Sequence, residues 1–159
     1  MQVRAVTRDL SKVEARRLPN VQFVKGDFDD LDSMRRVCSG MERAFLLTNS
    51  TERAEQQQIA FVKVARESGI RHIVKLSQLH ADANSPGRFL RYHAAVEAAI
   101  RASGLTFTFL RPNLYMQGLL NFRHSIQQKS AFFAAAGEAR ISAVDVRDLA
   151  DVAVAALTT

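Results

Sequence analysis

The chain has 159 residues, 47% hydrophobic and 24% charged, with a formal net charge of +6 and a single cysteine. That composition suits one domain with a sizeable core, and it excludes an internal disulfide framework and any apolar run of the ~20 residues a bilayer requires. Basic residues are interleaved with acids, as in TERAEQQQIAFVKVARES, so the charge suits an anionic small ligand rather than nucleic acid.

Strand and helix patterns alternate along the chain. QVRAV alternates polar and apolar residues, and SKVEARRL, with Ser11 three residues before Glu14, has the form of a helix opened by a capping box. Pro19-Asn20 closes that helix, and VQFVKGD is the second strand. In DDLDSMRRVCSGM, Asp30 is the expected N-cap, Gly40 the expected left-handed residue past the end, and Cys38 a packing residue. RAFLLTN is apolar enough for a buried parallel strand.

The alternation continues to the C-terminus. Ser50 or Thr51 is expected to cap a helix running to about Glu67, which Ser68-Gly69 stops before the strand IRHIVKLS. Pro86 suits the first turn of the next helix, with Phe89, Val96, Ala99 and Ile100 at helical spacing, and LTFTFLRP follows as a strand. LYMQGLLNFRHSIQQK reads as a helix weakened at Gly118, and FFAAAGEA as a small-residue loop or strand. ARISAVD and VRDLADVAVAALTT supply a last strand and helix. The pattern predicts an α/β fold with a parallel sheet and flanking helices over a single domain, residues 1–159.

In such sheets ligands bind outside the carboxyl ends of the strands. Those ends read Thr7-Arg8, Gly26-Asp27-Phe28, Thr48-Asn49-Ser50, Ser77-Gln78 and Arg111-Pro112-Asn113, which together predict a lined crevice. Thr48 to Thr51 also suit a helix cap, and Asp27 a local turn. Where the strand ending at Arg8 is the second of a dinucleotide fold, its guanidinium favours a 2′-phosphate, hence NADP over NAD. An exposed loop arginine beside Asp9 is the competing reading.

VRAVTRD, VQFVKGDFDD, AFLLTNS, ESGIRHIVKLS, YHAAVEAAIRASGLTFTFLRPNLYMQGLL and SAVDVRDLADVA together resemble the NmrA-like group of atypical short-chain dehydrogenases/reductases. The resemblance covers nearly the whole chain and implies a Rossmann-type, NAD(P)-binding fold. It implies hydride transfer from NADPH to quinone-like or azo-like acceptors in full-length relatives, or else a non-catalytic nucleotide sensor that regulates a partner. It places Ser77 at the superfamily's substrate-orienting serine, Tyr92 and His93 beside the reaction, and Pro112 and Asn113 beside the nicotinamide, with Tyr115 and Met116 bordering the substrate. The strand-end residues Arg8, Asp27, Phe28, Thr48 and Asn49 complete the expected cofactor site. No metal is expected, and the single cysteine together with the lack of a long apolar run makes the expected location cytoplasmic.

Two departures stand out. The superfamily's Tyr-x-x-x-Lys is absent: Tyr92 is followed at that spacing by Val96, and His93 by Glu97. A carboxylate near Tyr92 disfavours the phenolate, so proton delivery falls to water or His93. For His93 the competing reading is a structural bond to a carbonyl or to Glu97, and for Arg111 a structural ion pair. The second departure is that the family's first strand and glycine-rich loop have no counterpart, since the seven glycines lie far apart. That loop supplies backbone N–H groups to the pyrophosphate, so cofactor binding is expected to be impaired. The missing strand is central in the usual order, which leaves a gap to be closed by the flanking strands or by another chain in a homo-oligomer. The sequence reads as a fragment or a short relative.

Overall fold

The computed structural model describes residues 2–13, 18–133 and 137–159. Seven strands and five α-helices alternate among them. β1 (Val3–Thr7) and β2 (Val21–Lys25) form a parallel pair with Val3 opposite Val21 and Thr7 opposite Lys25. β3 (Arg43–Leu46), β4 (His72–Leu76) and β5 (Thr106–Leu110) form a parallel sheet in that order. The Rossmann-type parallel layout expected from the sequence is present.

The helices are α1 (Leu31–Cys38), α2 (Ala54–Glu67), α3 (Arg88–Ala102), α4 (Arg123–Lys129) and α5 (Val146–Thr158). α1 starts as expected: the Asp30 carboxylate accepts from the Ser33 backbone N–H at 3.1 Å, and Gly40 stands at a φ of 74° past its end. α2 starts without a side-chain cap, and α3 follows Gly87 rather than taking Pro86 into its first turn. After β1, Asp9 rather than Ser11 is the capping residue, and it opens only a short 3-10 turn over Leu10–Lys12. The rest of the expected helix lies largely at positions 14–17, outside the described residues, as does the centre of FFAAAGEA.

The segment 114–129 is not one helix. Leu114–Tyr115 (β6) pairs with Ala143–Val144 (β7), a 3-10 turn covers Met116–Phe122, and only then does α4 begin. Pairing with β7 claims the backbone that a helix would have used, and Gly118 weakens the helical alternative.

β4 is buried on both faces. Ile73 packs into a cluster with Met34, Phe61, Val64 and Val96, whereas Val74 faces Leu110 and Ala153 beside Leu149 of α5. At the end of β2, Gly26 allows close approach, since a Cβ there would lie 2.8 Å from Val6 Cγ1 and 3.1 Å from Val37 Cγ2.

β1 and β3 do not pair with each other. A cleft of about 830 Å³ separates them, lined by Val3 to Val6, by Arg43 to Phe45, and by Met34, Phe61 and Leu157. The gap expected at the centre of the sheet is therefore open, and the flanking strands have not closed on each other.

Candidate functional site

A second cavity, of about 440 Å³, opens at the carboxyl ends of β3 and β4 and beside the turn after β5. Thr48, Asn49 and Ser50 line it after β3, Ser77 after β4, and Asn113 to Tyr115 after β5. Across it, α3 contributes Tyr92 and His93. They are there because Tyr92, His93, Val96, Glu97 and Ile100 recur at helical spacing and form the buried face of α3.

One turn after His93, the Glu97 carboxylate is the hub of a polar network. Its Oε1 accepts from Ser77 Oγ at 2.6 Å and from Arg111 Nε at 2.9 Å, and its Oε2 accepts from Arg111 Nη2 and from Arg101 Nη2, the latter at 3.1 Å. The side chain is 2% exposed. Burial raises its pKa, but the bonds from Arg111 and Ser77 outweigh that and hold the carboxyl below its ordinary value. Arg111 is thus a structural ion-pair partner.

Lys75, the next-to-last residue of β4, is fully buried. Its Nζ donates to the Leu76 carbonyl at 3.0 Å and lies 3.1 Å from His93 Nδ1. Burial lowers the Lys75 pKa to about 8, with Glu97 opposing the shift. Burial, then the Lys75 charge, lowers that of His93 to about 4. The imidazole is therefore neutral near pH 7 and bonds to lysine, not to Glu97.

Tyr92 stacks on His93 with ring centroids 4.1 Å apart, and its hydroxyl lies 3.1 Å from Ser50 Oγ. Burial raises its pKa, so the phenol stays protonated. α2 starts at Ala54, with Arg53 at the N-cap position and no side-chain acceptor there, and the Ser50 hydroxyl, three residues before Arg53, meets Tyr92, 42 residues away.

Gln58 of α2, 1% exposed, donates through Nε2 to Thr48 Oγ1 at 2.7 Å. Its Oε1 is buried without a partner among the described residues, and Gln58 lines the cavity. A buried carbonyl oxygen without a donor is costly, so this side chain at the cavity wall is a candidate for a further hydrogen bond.

Of the residues singled out from the sequence, the structure gathers Thr48, Asn49, Ser77, Tyr92, His93 and Asn113 around this cavity. Pro112 is buried next to it, its carbonyl accepting from the Leu79 N–H at 2.9 Å. Arg8, Asp27 and Phe28 do not line it. Arg8 is exposed at the end of β1, Asp27 accepts from the Asp29 N–H at 3.0 Å within its own turn, and Phe28 packs on Phe61 at 5.5 Å. The strand ends fall into two groups because the sheet is divided. Cys38 is buried in the core as expected. Lys75 and Gln58 were missed, although a lysine inside the apolar strand HIVKL is itself a signal of a buried partner. Among the described residues no group of three His, Cys, Asp or Glu could hold a metal ion, and no helix is long and apolar enough to cross a membrane.

A family model described as NAD(P)H-binding matches residues 1–159. The chain belongs to this NAD(P)H-binding family. Among its relatives, an NAD(P)H azoreductase of Xenophilus azovorans is 30% identical over 98% of this chain and 54% of its own length. A (4-alkanoyl-5-oxo-2,5-dihydrofuran-3-yl)methyl phosphate reductase of Streptomyces griseus is 34% identical over 87% of this chain and 49% of its own. The chain thus spans about half the length of these two relatives. The structure of Citrobacter sp. triphenylmethane reductase complexed with NADP(H) superposes with a TM-score of 0.89 at 26% identity, covering 99% of this chain and 57% of that one. These relatives agree with the NmrA-like resemblance.

Proposed function

We propose that the domain binds the nicotinamide end of NADP(H), with NAD(H) as the weaker alternative, in the cavity at the ends of β3 to β5. In a longer protein it would serve hydride transfer to a quinone-like or azo-like acceptor in the cytoplasm. The observation that carries this reading is the orphaned Gln58 Oε1 in a cavity at the ligand-binding end of a parallel sheet.

The residues present fit that half of the cofactor. Gln58 Oε1 suits a ribose hydroxyl or a carboxamide N–H, Asn49 and Asn113 bring further amides, and Tyr92 brings a neutral hydroxyl. When bound, reduced nicotinamide supplies the hydride. The chain itself orients and shields the reacting groups: Ser77 is fixed by Glu97, Tyr92 by Ser50, and His93 by Lys75. Neither Tyr92 nor His93 has a pKa suited to giving up a proton near pH 7, so water is the proton source.

That same absence of a tuned acid favours a second reading, a nucleotide-binding regulator without turnover. NADPH oxidation with a panel of quinones and azo dyes separates the two: turnover supports the enzyme, and binding without turnover the regulator. Arg8 is the proposed contact for the 2′-phosphate. Arg8→Ala should cut the preference for NADPH over NADH by about tenfold in calorimetry, and an unchanged preference would remove Arg8 from the site.

The open edges of β1 and β3 favour a homo-oligomer formed by strand addition. Light scattering at micromolar concentration should show a species larger than one chain, and a clean monomer would contradict it.

A further inference from the structure

We propose that Lys75 is a positioning residue that locks His93 in the Nε2–H tautomer, so that the imidazole offers one fixed, neutral hydrogen-bond donor to an sp² oxygen of a ligand in the cavity. The carbonyl character of that ligand rests on the function proposed above; the tautomer does not.

The argument starts from what an ammonium can do. It has three donors and no acceptor, so a ring nitrogen 3.1 Å from Lys75 Nζ must present its lone pair. The second bond of Nζ, to the Leu76 carbonyl at 3.0 Å, also requires lysine to donate, and it fixes the side chain from within its own strand. With Nδ1 occupied as acceptor, the proton of neutral His93 sits on Nε2.

The surroundings hold this arrangement. Tyr92 stacks on the ring, and Phe89 meets it edge-on with centroids 4.8 Å apart. Of the charged and titratable groups around the pair, Glu97 on α3 is saturated by Ser77, Arg101 and Arg111 and does not compete for the imidazole. Tyr92 on α3 is engaged with Ser50, and Tyr115 of β6 lies across the cavity. No described residue bonds His93 Nε2, and His93 lines the cavity, so the donor is left for a ligand.

The lock works through the neighbouring ring and differs from the ribose-binding lysine of a Tyr-x-x-x-Lys motif. It reaches the site from a strand rather than from the helix that carries Tyr92. A neutral N–H donor aimed at a ligand oxygen strengthens as negative charge grows on that oxygen, and it needs no proton transfer.

Long-range proton–nitrogen NMR of the chain, with the ring assigned by its loss in His93→Gln, tests this without any cofactor. Near pH 7 the expected result is an unprotonated Nδ1 and a protonated Nε2; an Nδ1–H tautomer or an imidazolium would overturn the proposal. Lys75→Met should give a mixture of tautomers, and an unchanged pure Nε2–H form would remove Lys75 from the role. In the unmodified chain, which needs no folding of a variant, the Nδ1 resonance should respond as Lys75 loses its proton near pH 8, and a flat response would separate the two residues. Adding NADPH and menadione should move the Hε2 resonance of His93. If other cavity residues respond and Hε2 does not, the ligand-facing role fails. If no cavity residue responds, it is the proposed function that fails, and the tautomer result stands by itself.

Discussion

Arg111→Met is expected to destabilise the domain by about 3 kcal/mol, read as a lower midpoint in urea unfolding. The cost comes from Glu97 rather than from the arginine. Glu97 is 2% exposed, and Arg111 supplies bonds to both of its carboxylate oxygens. Removing Arg111 leaves a buried charge held only by Ser77 and by Arg101, whose side chain is 49% exposed. Combining Arg111→Met with Glu97→Gln removes the stranded charge and should recover part of the loss. If the single variant were as stable as the parent, the network would be ornamental, and the placement of Ser77 at the cavity would need another cause.

The second large effect is acid sensitivity through His93. Burial and Lys75 lower its pKa from 6.5 to about 4 in the folded chain. Between those values the unfolded chain binds more protons than the folded one, so stability falls as pH falls from about 6.5 to about 4. The expected loss is on the order of 2–3 kcal/mol. His93→Gln keeps an acceptor for Lys75 while removing the titration, so its urea midpoint should be flatter across that window. Glu97, whose pKa is held low, adds its own loss only as the pH falls further. Parallel pH profiles for the parent and His93→Gln would show that His93 is not the buried neutral group described.

Much of the fold follows from local signals. Apolar runs of strand length marked β2 to β5, and Asp30, Gly40 and Gly69 marked helix ends whose geometry depends only on nearby residues. What was not legible depends on distant partners. Ser50 looks like a helix cap, but the helix starts only at Ala54 and the Ser50 hydroxyl meets Tyr92, 42 residues later. The segment from Leu114 looks helical until Ala143 and Val144 pair with it. The site shows the same division: the polar residues at the ends of β3 and β4 were visible as a pattern, whereas the meeting of Lys75 with His93 joins a strand to a helix across 18 residues. The strand ends at Arg8 and Asp27 look continuous with the others as a run of polar residues after apolar strands, but the open cleft between β1 and β3, at the gap expected from the missing central strand, separates them.

The central claim is that the cavity bounded by Thr48, Ser77, Tyr92 and Asn113 receives the nicotinamide end of the cofactor. The measurement that tests it most directly is an NADPH titration of the folded chain followed through backbone amide NMR. The account predicts saturable shifts at Asn49, Ser77 and Asn113. Saturable binding that shifts only residues away from that cavity, or no binding by a folded chain, would contradict it.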